Sequence, residues 1–106
     1  MSYRFMRIIV MFDLPVETKV DRRNYRLFRR YLLQSGFIMM QESIYCKLVL
    51  NQTAGNTVQN GVRMHKPPKG LVQMMSITEK QFGDIEYIVG DAHTEIINST
   101  ERYIEL

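Results

Sequence analysis

Arg7-Ile8-Ile9-Val10-Met11-Phe12-Asp13-Leu14-Pro15 is the stretch that decides the fold of this 106-residue chain. Five consecutive apolar residues, Ile8 to Phe12, with two isoleucines and a valine among them, specify a strand covered on both faces. Pro15 has no N–H to give to a ladder, so pairing stops there and Asp13 stands at the mouth of the strand. A carboxylate in that place reaches solvent, a metal ion or a neighbouring chain without being drawn through the core, and loops at strand ends are where sites tend to be built. Asp and Pro are also ordinary turn residues. Position alone therefore leaves Asp13 either a turn opener or a site residue.

The segment that follows, Thr18 to Ser35, has helical periodicity. At about 100° per residue Val20, Asn24, Leu27, Phe28, Tyr31, Leu32 and Ser35 share one arc, and Lys19, Arg22, Arg23, Arg26, Arg29 and Arg30 share the opposite one. Thr18 can cap the start, Asp21 suits the first turn and Gly36 suits the C′ position. Six cations on one face repel one another, a cost unless an anion lies against them. A merely solvated face usually carries more Glu for pairing, so this one is read as a phosphate-binding face.

Phe37 to Leu50 alternates like a strand, with Gln41-Glu42-Ser43 interrupting it, and divides into two strands at about 37–41 and 43–50 joined by a tight bend or bulge. Asn51 to Lys66 has a cap in Asn51, apolar spacing at Ala54, Val58 and Val62, and a stop in Pro67-Pro68. Gly55 and Gly61 weaken that helix by about 1 kcal/mol each relative to Ala. His65 falls in its last turn, while Arg63, Lys66 and Lys69 extend the basic surface. Leu71 to Ile77 is the next strand, and Thr78-Glu79-Lys80-Gln81 is a capping box ahead of Phe82. Ile85 to Val89 is expected as a fifth strand and Gly90 to Thr100 as loop. Asp91-x-His93-x-Glu95 could offer three ligands, but no Cys or second His accompanies them and a polar loop is the better reading. Tyr103-Ile104-Glu105-Leu106 alternates like a strand, and an apolar terminus of this kind is expected to be anchored, here on another protomer.

The totals bound the function. An apolar content of 45% with 24% charged residues is globular, and the length suits one domain. No run reaches the ~18 apolar residues of a membrane helix, and Asp13 cuts the N-terminal apolar stretch short of a signal-peptide core, so a cytoplasmic protein is expected. Cys46, the single cysteine, excludes an internal disulfide and reads as a small buried hydrophobe. The formal net charge of +3 is unevenly spread: residues 1–69 hold twelve Lys/Arg against four Asp/Glu, and residues 70–106 hold two against seven. A basic body calls for a polyanion, and an acidic tail portion for self-association or a basic protein partner.

Strand, helix, strand, strand, helix, strand is the order of two split βαβ units. The expected fold is α+β: a ferredoxin-like βαββαβ sandwich with four antiparallel strands, both helices on one face, and additional C-terminal strands. Residues 1–80 form the core, and residues 81–106 an extension with a strand exchanged in a dimer. The helix-free face needs a cover; Met39 and Met74 are expected there, meeting the sheet of a second copy in a face-to-face homodimer.

Met11-Phe12-Asp13-Leu14-Pro15, the arginine-rich helix, Gly36-Phe37, Gln41-Glu42-Ser43-Ile44-Tyr45 and Thr78-Glu79-Lys80-Gln81-Phe82, in that order, resemble the CRISPR-associated "Cas two" family, the non-integrase subunit of the spacer-acquisition complex. The resemblance spans nearly the whole chain and is nearest to the form that accompanies Cas-nine type systems. It implies a homodimer, Mg²⁺ shared by two copies of Asp13, and DNA as ligand. Two functions follow from it. One is a Mg²⁺-dependent endonuclease on RNA or duplex DNA, with Asp13 as the catalytic metal ligand; the chain offers no dedicated base and no second-metal ligand set beside it. The other is an adaptor that bridges integrase subunits and holds a duplex prespacer, with Arg22, Arg23, Arg26, Arg29 and Arg30, flanked by Lys66 and Lys69, contacting phosphate without reading sequence. An RNA-recognition module on the same fold is a third reading, but it wants a Lys/Arg-Gly-aromatic motif that the strands lack.

Overall fold

A computed structural model describes residues 5–91. Its order is β1 (Met6–Asp13), α1 (Lys19–Gln34), β2 (Ile38–Gln41), β3 (Ile44–Val49), α2 (Gln52–Met64), β4 (Leu71–Thr78) and a short α3 (Glu79–Gly83). The strands form one sheet in the order β2-β3-β1-β4, and every neighbouring pair is antiparallel. The first six elements are thus the expected βαββαβ, with β1 in the middle. Ile8, Val10 and Phe12 are buried on the face covered by the helices, and Ile9 is buried on the other face.

Register sorts the two faces. Val10 lies opposite Tyr45 and Met74, and this parity points to the helices: Ile8, Val10, Phe12, Tyr45 and Val49 close over Phe28 and Leu32 of α1 and Val62 of α2. Phe12 is its centre, stacked on Tyr45 (centroids 5.6 Å apart) and edge-on to Phe28 (5.3 Å). Ala54 and Val58 join Val62 against this core, and Gly55 and Gly61 are where α2 comes closest to Val49 and Tyr31. Their cost in helix propensity is therefore offset by a closer approach of α2 to its neighbours. The expected break between β2 and β3 is a register shift between Met39 and Gln41 followed by a turn.

Three expectations are corrected. Met39 and Met74 belong to the helix-covered core, not to the open face; Met75 and Met11 hold the open-face parity instead, opposite and beside Ile9. Val20 and Leu27, placed on the buried arc of α1, are 65% and 42% exposed. The true inner line of α1 runs through Asp21, Tyr25, Phe28 and Leu32, because the sheet covers only one side of the helix's apolar arc. Finally, Ile85 to Val89 forms no strand among the described residues; its residues are exposed. The segment Tyr103 to Leu106, most of the Gly90 to Thr100 loop and the residues His93 and Glu95 lie outside the described residues.

The open face is closed at one end by the chain itself. Arg7 points out of it and donates from Nε and Nη2 to the two carboxylate oxygens of Glu79, at 2.8 and 2.9 Å, while its guanidinium carbon lies 4.2 Å from the Phe82 ring centroid. This bidentate pair holds α3 over the sheet and lowers the Glu79 carboxyl below its ordinary range. Cys46 is buried beneath it, and burial raises its thiol pKa, as a small hydrophobe rather than a nucleophile. No helix among the described residues is long and apolar enough to cross a membrane.

Candidate nucleic-acid interface

Asp13 is the last residue of β1, opposite Leu71 of β4, and it is exposed on the open face of the sheet. Its turn is braced from two sides. On one side Arg22 reaches back and donates to the carbonyls of Val16 and Glu17 at 3.1 and 3.0 Å. On the other, Gly70 (φ +104°) lies so close to Leu14, Pro15 and the Asp13 carbonyl that a Cβ would collide with them. A residue in that left-handed backbone with no room for a side chain has to be glycine.

Asp21 ties these parts together. The Thr18 N–H donates to its carboxylate at 3.3 Å and its own N–H donates to Thr18 Oγ1 at 3.0 Å, a complete capping box at the start of α1. Lys69 Nζ lies 3.3 Å from the other carboxylate oxygen, although Asp21 is only 5% exposed. Burial pushes the Asp21 carboxyl up, but the Thr18 N–H and Lys69 together outweigh it, and the net direction is down. One buried carboxylate thus joins the first turn of α1 to the loop that leads into β4. The Thr18-x-x-Asp21 spacing carried half of this; the partner, 48 positions away in sequence, carried no signal.

The arginines divide into two kinds. Arg23, Arg26, Arg29 and Arg30 are exposed along α1, and none makes an ion pair among the described residues. Arg29 acts on Tyr45, whose hydroxyl is buried without a well-formed hydrogen bond: burial raises the phenol pKa and the guanidinium partly opposes it. Arg22 is exposed too, but its guanidinium is spent on the turn carbonyls. Lys66 pairs with no acid among the described residues, and its Nζ lies 3.5 Å from the Arg63 carbonyl. Lys69 is placed differently from the others, since its charge is offset by Asp21. The structure therefore brings Arg23, Arg26, Arg29 and Arg30 together on one helix and leaves Asp13 on the other side of the sheet.

Among the described residues no group of three His, Cys, Asp or Glu side chains converges. Mg²⁺ commonly keeps several waters and takes one or two protein carboxylates. Asp13, exposed at the end of β1 on a face that needs covering, could supply one such carboxylate.

Comparison with known proteins adds the following. The family model described as CRISPR associated protein Cas2 matches residues 6–85, from β1 to just past α3. A CRISPR-associated endoribonuclease Cas2 of Treponema denticola is 50% identical over 101 residues, covering 95% of this chain and 100% of the relative. Proteins of the same description from Ligilactobacillus salivarius and Streptococcus mutans are 41% and 43% identical, covering 95% of this chain and 100% and 93% of their own lengths.

Proposed function

This chain belongs to the family of CRISPR-associated protein Cas2, and from that premise we propose that it serves spacer acquisition as a homodimer that binds duplex DNA and bridges integrase subunits. The observation that carries this reading is the row of Arg23, Arg26, Arg29 and Arg30, exposed and without acidic partners along one helix. Such a row is costly alone and favourable against a sugar-phosphate backbone. It grips phosphate without reading bases, which is what a subunit handling DNA of any sequence requires. Arg22 and Lys69 support this face from behind by fixing the turn and the start of α1, and Lys66 extends it.

In the dimer, the open faces of two sheets meet, residues 1–80 form the core and residues 81–106 reach across as an extension with an exchanged strand. The exposed Ile85, Tyr87, Ile88 and Val89 favour this, since they find no pairing partner among the described residues. Asp13 lies on the face that becomes the interface, and two copies of it would hold Mg²⁺.

A second reading is a Mg²⁺-dependent endonuclease on RNA or on duplex DNA; the relatives' names carry only the first, an endoribonuclease. Mg²⁺, held by two copies of Asp13, would supply charge neutralisation and a water of lowered pKa. The chain's own contribution would be to hold the two Asp13 carboxylates on braced turns; the arginine row lies on the other side of the sheet, and among the described residues no side chain near Asp13 is arranged as a base. The adaptor role is therefore placed first.

The experiment compares Asp13→Ala with Arg26→Glu/Arg30→Glu, in Mg²⁺-dependent cleavage and in spacer integration with the integrase present. The adaptor role predicts that the Asp13 variant integrates spacers and the arginine variant does not. Loss of integration in Asp13→Ala with an intact dimer would reverse the order of the two readings.

A further inference from the structure

Between α1 and the end of α2 lies a groove of about 330 Å³ lined by Asn24, Leu27, Phe28, Tyr31, His65, Lys66 and Pro67. This is at the small end of ligand sites, roughly 300–1,000 Å³. Its wall contains an aromatic stack: the Tyr31 and His65 rings are nearly parallel (11°), with centroids 3.9 Å apart. His65 is exposed, and its ring is held in place because Nδ1 lies 2.8 Å from the Gly61 carbonyl. A carbonyl only accepts, so Nδ1 carries the proton in that contact. Leu27 forms the floor on the α1 side. Its neighbours three and four positions away are Asn24 and Tyr31 toward the groove and Arg23 and Arg30 toward the cationic row.

We propose that this groove receives one unpaired nucleobase of a nucleic acid lying along α1, with the base stacked on His65 and its phosphate between Lys66 and the Arg23/Arg30 edge. The inference rests on the reading of α1 as the phosphate face and adds to it a place for a single-stranded flank. Each element of the groove suits such a guest. Bases freed from a duplex stack on aromatic rings, and every base has a face to stack. The Asn24 amide offers both a donor and an acceptor to a base edge. Leu27, Phe28 and Pro67 supply apolar walls, and the cations at both rims match the phosphates that precede and follow the base. A duplex cannot use the groove, because its bases are already stacked on one another.

The test uses DNA duplexes, blunt or with a short 3′ overhang carrying 2-aminopurine, and the single strand alone. Wild-type protein should bind the overhang duplex about fivefold or more tighter than the blunt one, with quenching of the 2-aminopurine. His65→Ala should lose both the gain and the quenching, and His65→Phe, which keeps a ring but not the contact to Gly61, should retain them. If 2-aminopurine in the overhang stays bright with wild-type protein, the groove takes no base. Equal loss in His65→Ala and His65→Phe would give His65 a capping role only and overturn the stacking. If the single strand is quenched while the blunt duplex does not bind, the duplex reading of the Proposed function fails and the base site stands.

Discussion

Neutralising two arginines of α1 should halve the salt sensitivity of duplex binding. Arg23, Arg26, Arg29 and Arg30 are the arginines of α1 that, among the described residues, neither pair with an acid nor brace the turn. If each neutralises one phosphate, a dimer uses eight, and the slope of log K against log salt is about −7, at about −0.9 per phosphate. Arg26→Gln/Arg30→Gln removes four from the dimer and leaves a slope of about −3.6. Between 50 and 200 mM salt the wild type should then lose about ten-thousandfold in affinity and the variant only about a hundredfold. The variant starts weaker at low salt, so the slope, not the affinity at one salt, is the measure. Fluorescence anisotropy with a labelled duplex at five salt concentrations gives it. Both side chains are exposed and unpaired, so the folding free energy should stay within about 0.5 kcal/mol of wild type. Lys69→Gln is the counterpart: its charge is offset by Asp21, so it should change the slope by less than one free arginine does while lowering thermal stability. A slope unmoved by the double substitution, or moved as far by Lys69→Gln as by Arg26→Gln, would refute the division of the basic residues drawn from the structure.

Two further outcomes are expected. The Asp21 carboxyl is held below its ordinary range in the folded state, so its contribution is complete above the unfolded pKa, about 3.9, and is lost as pH falls through the lower folded value. Lys69→Met should therefore be less stable than wild type at pH 7, and the gap in urea midpoint should close as pH drops below about 4; a gap independent of pH would mean that the pair is not the cause. Tyr45→Phe removes a buried hydroxyl that has no well-formed hydrogen bond and should raise stability by about 1 kcal/mol in urea unfolding. A loss of that size would show that Arg29 bonds the hydroxyl in solution.

Most of the fold could be read from the chain because its local signals agree with each other. Thr18 and Asn51 cap the helices they were expected to cap, and the capping box at Thr18 extends to Asp21. Ala54, Val58 and Val62 repeat at helical spacing and meet the sheet, while the interruption at Gln41 to Ser43 becomes the bulge and turn between β2 and β3. Errors arose where local pattern is silent about direction. A strand's alternation says that Met74 and Met75 face opposite ways, not which of them faces the helices; only pairing of Val10 with Met74 and of Ile9 with Met75 decides it. Helical spacing likewise places Val20 and Leu27 on the apolar arc of α1, but the width of sheet beneath the helix sets how much of that arc is covered. The exposed remainder, Leu27 with Tyr31, is what lines the groove beside His65.

The same limit explains the site. Sign and location of charge are written in the sequence, and the arginine row was visible there as a helix face. Which cations are free is a tertiary fact. Lys69 meets a buried acid 48 positions earlier, Arg22 meets backbone carbonyls, and Arg7, on the opposite side of the sheet, is engaged by Glu79 and Phe82. This last cluster also bears on the dimer. It covers the Arg7 end of the open face, and what stays uncovered is the Met11 end, with Met75 46% exposed and Leu71 beside Asp13. An apolar patch ending in a carboxylate is a poor surface for a lone protomer and a good one for a second copy, provided that a cation is shared where the two carboxylates approach. In the proposed dimer one event would both bury Met75 and, with a shared cation, neutralise Asp13, which links the open face to the candidate metal ligand.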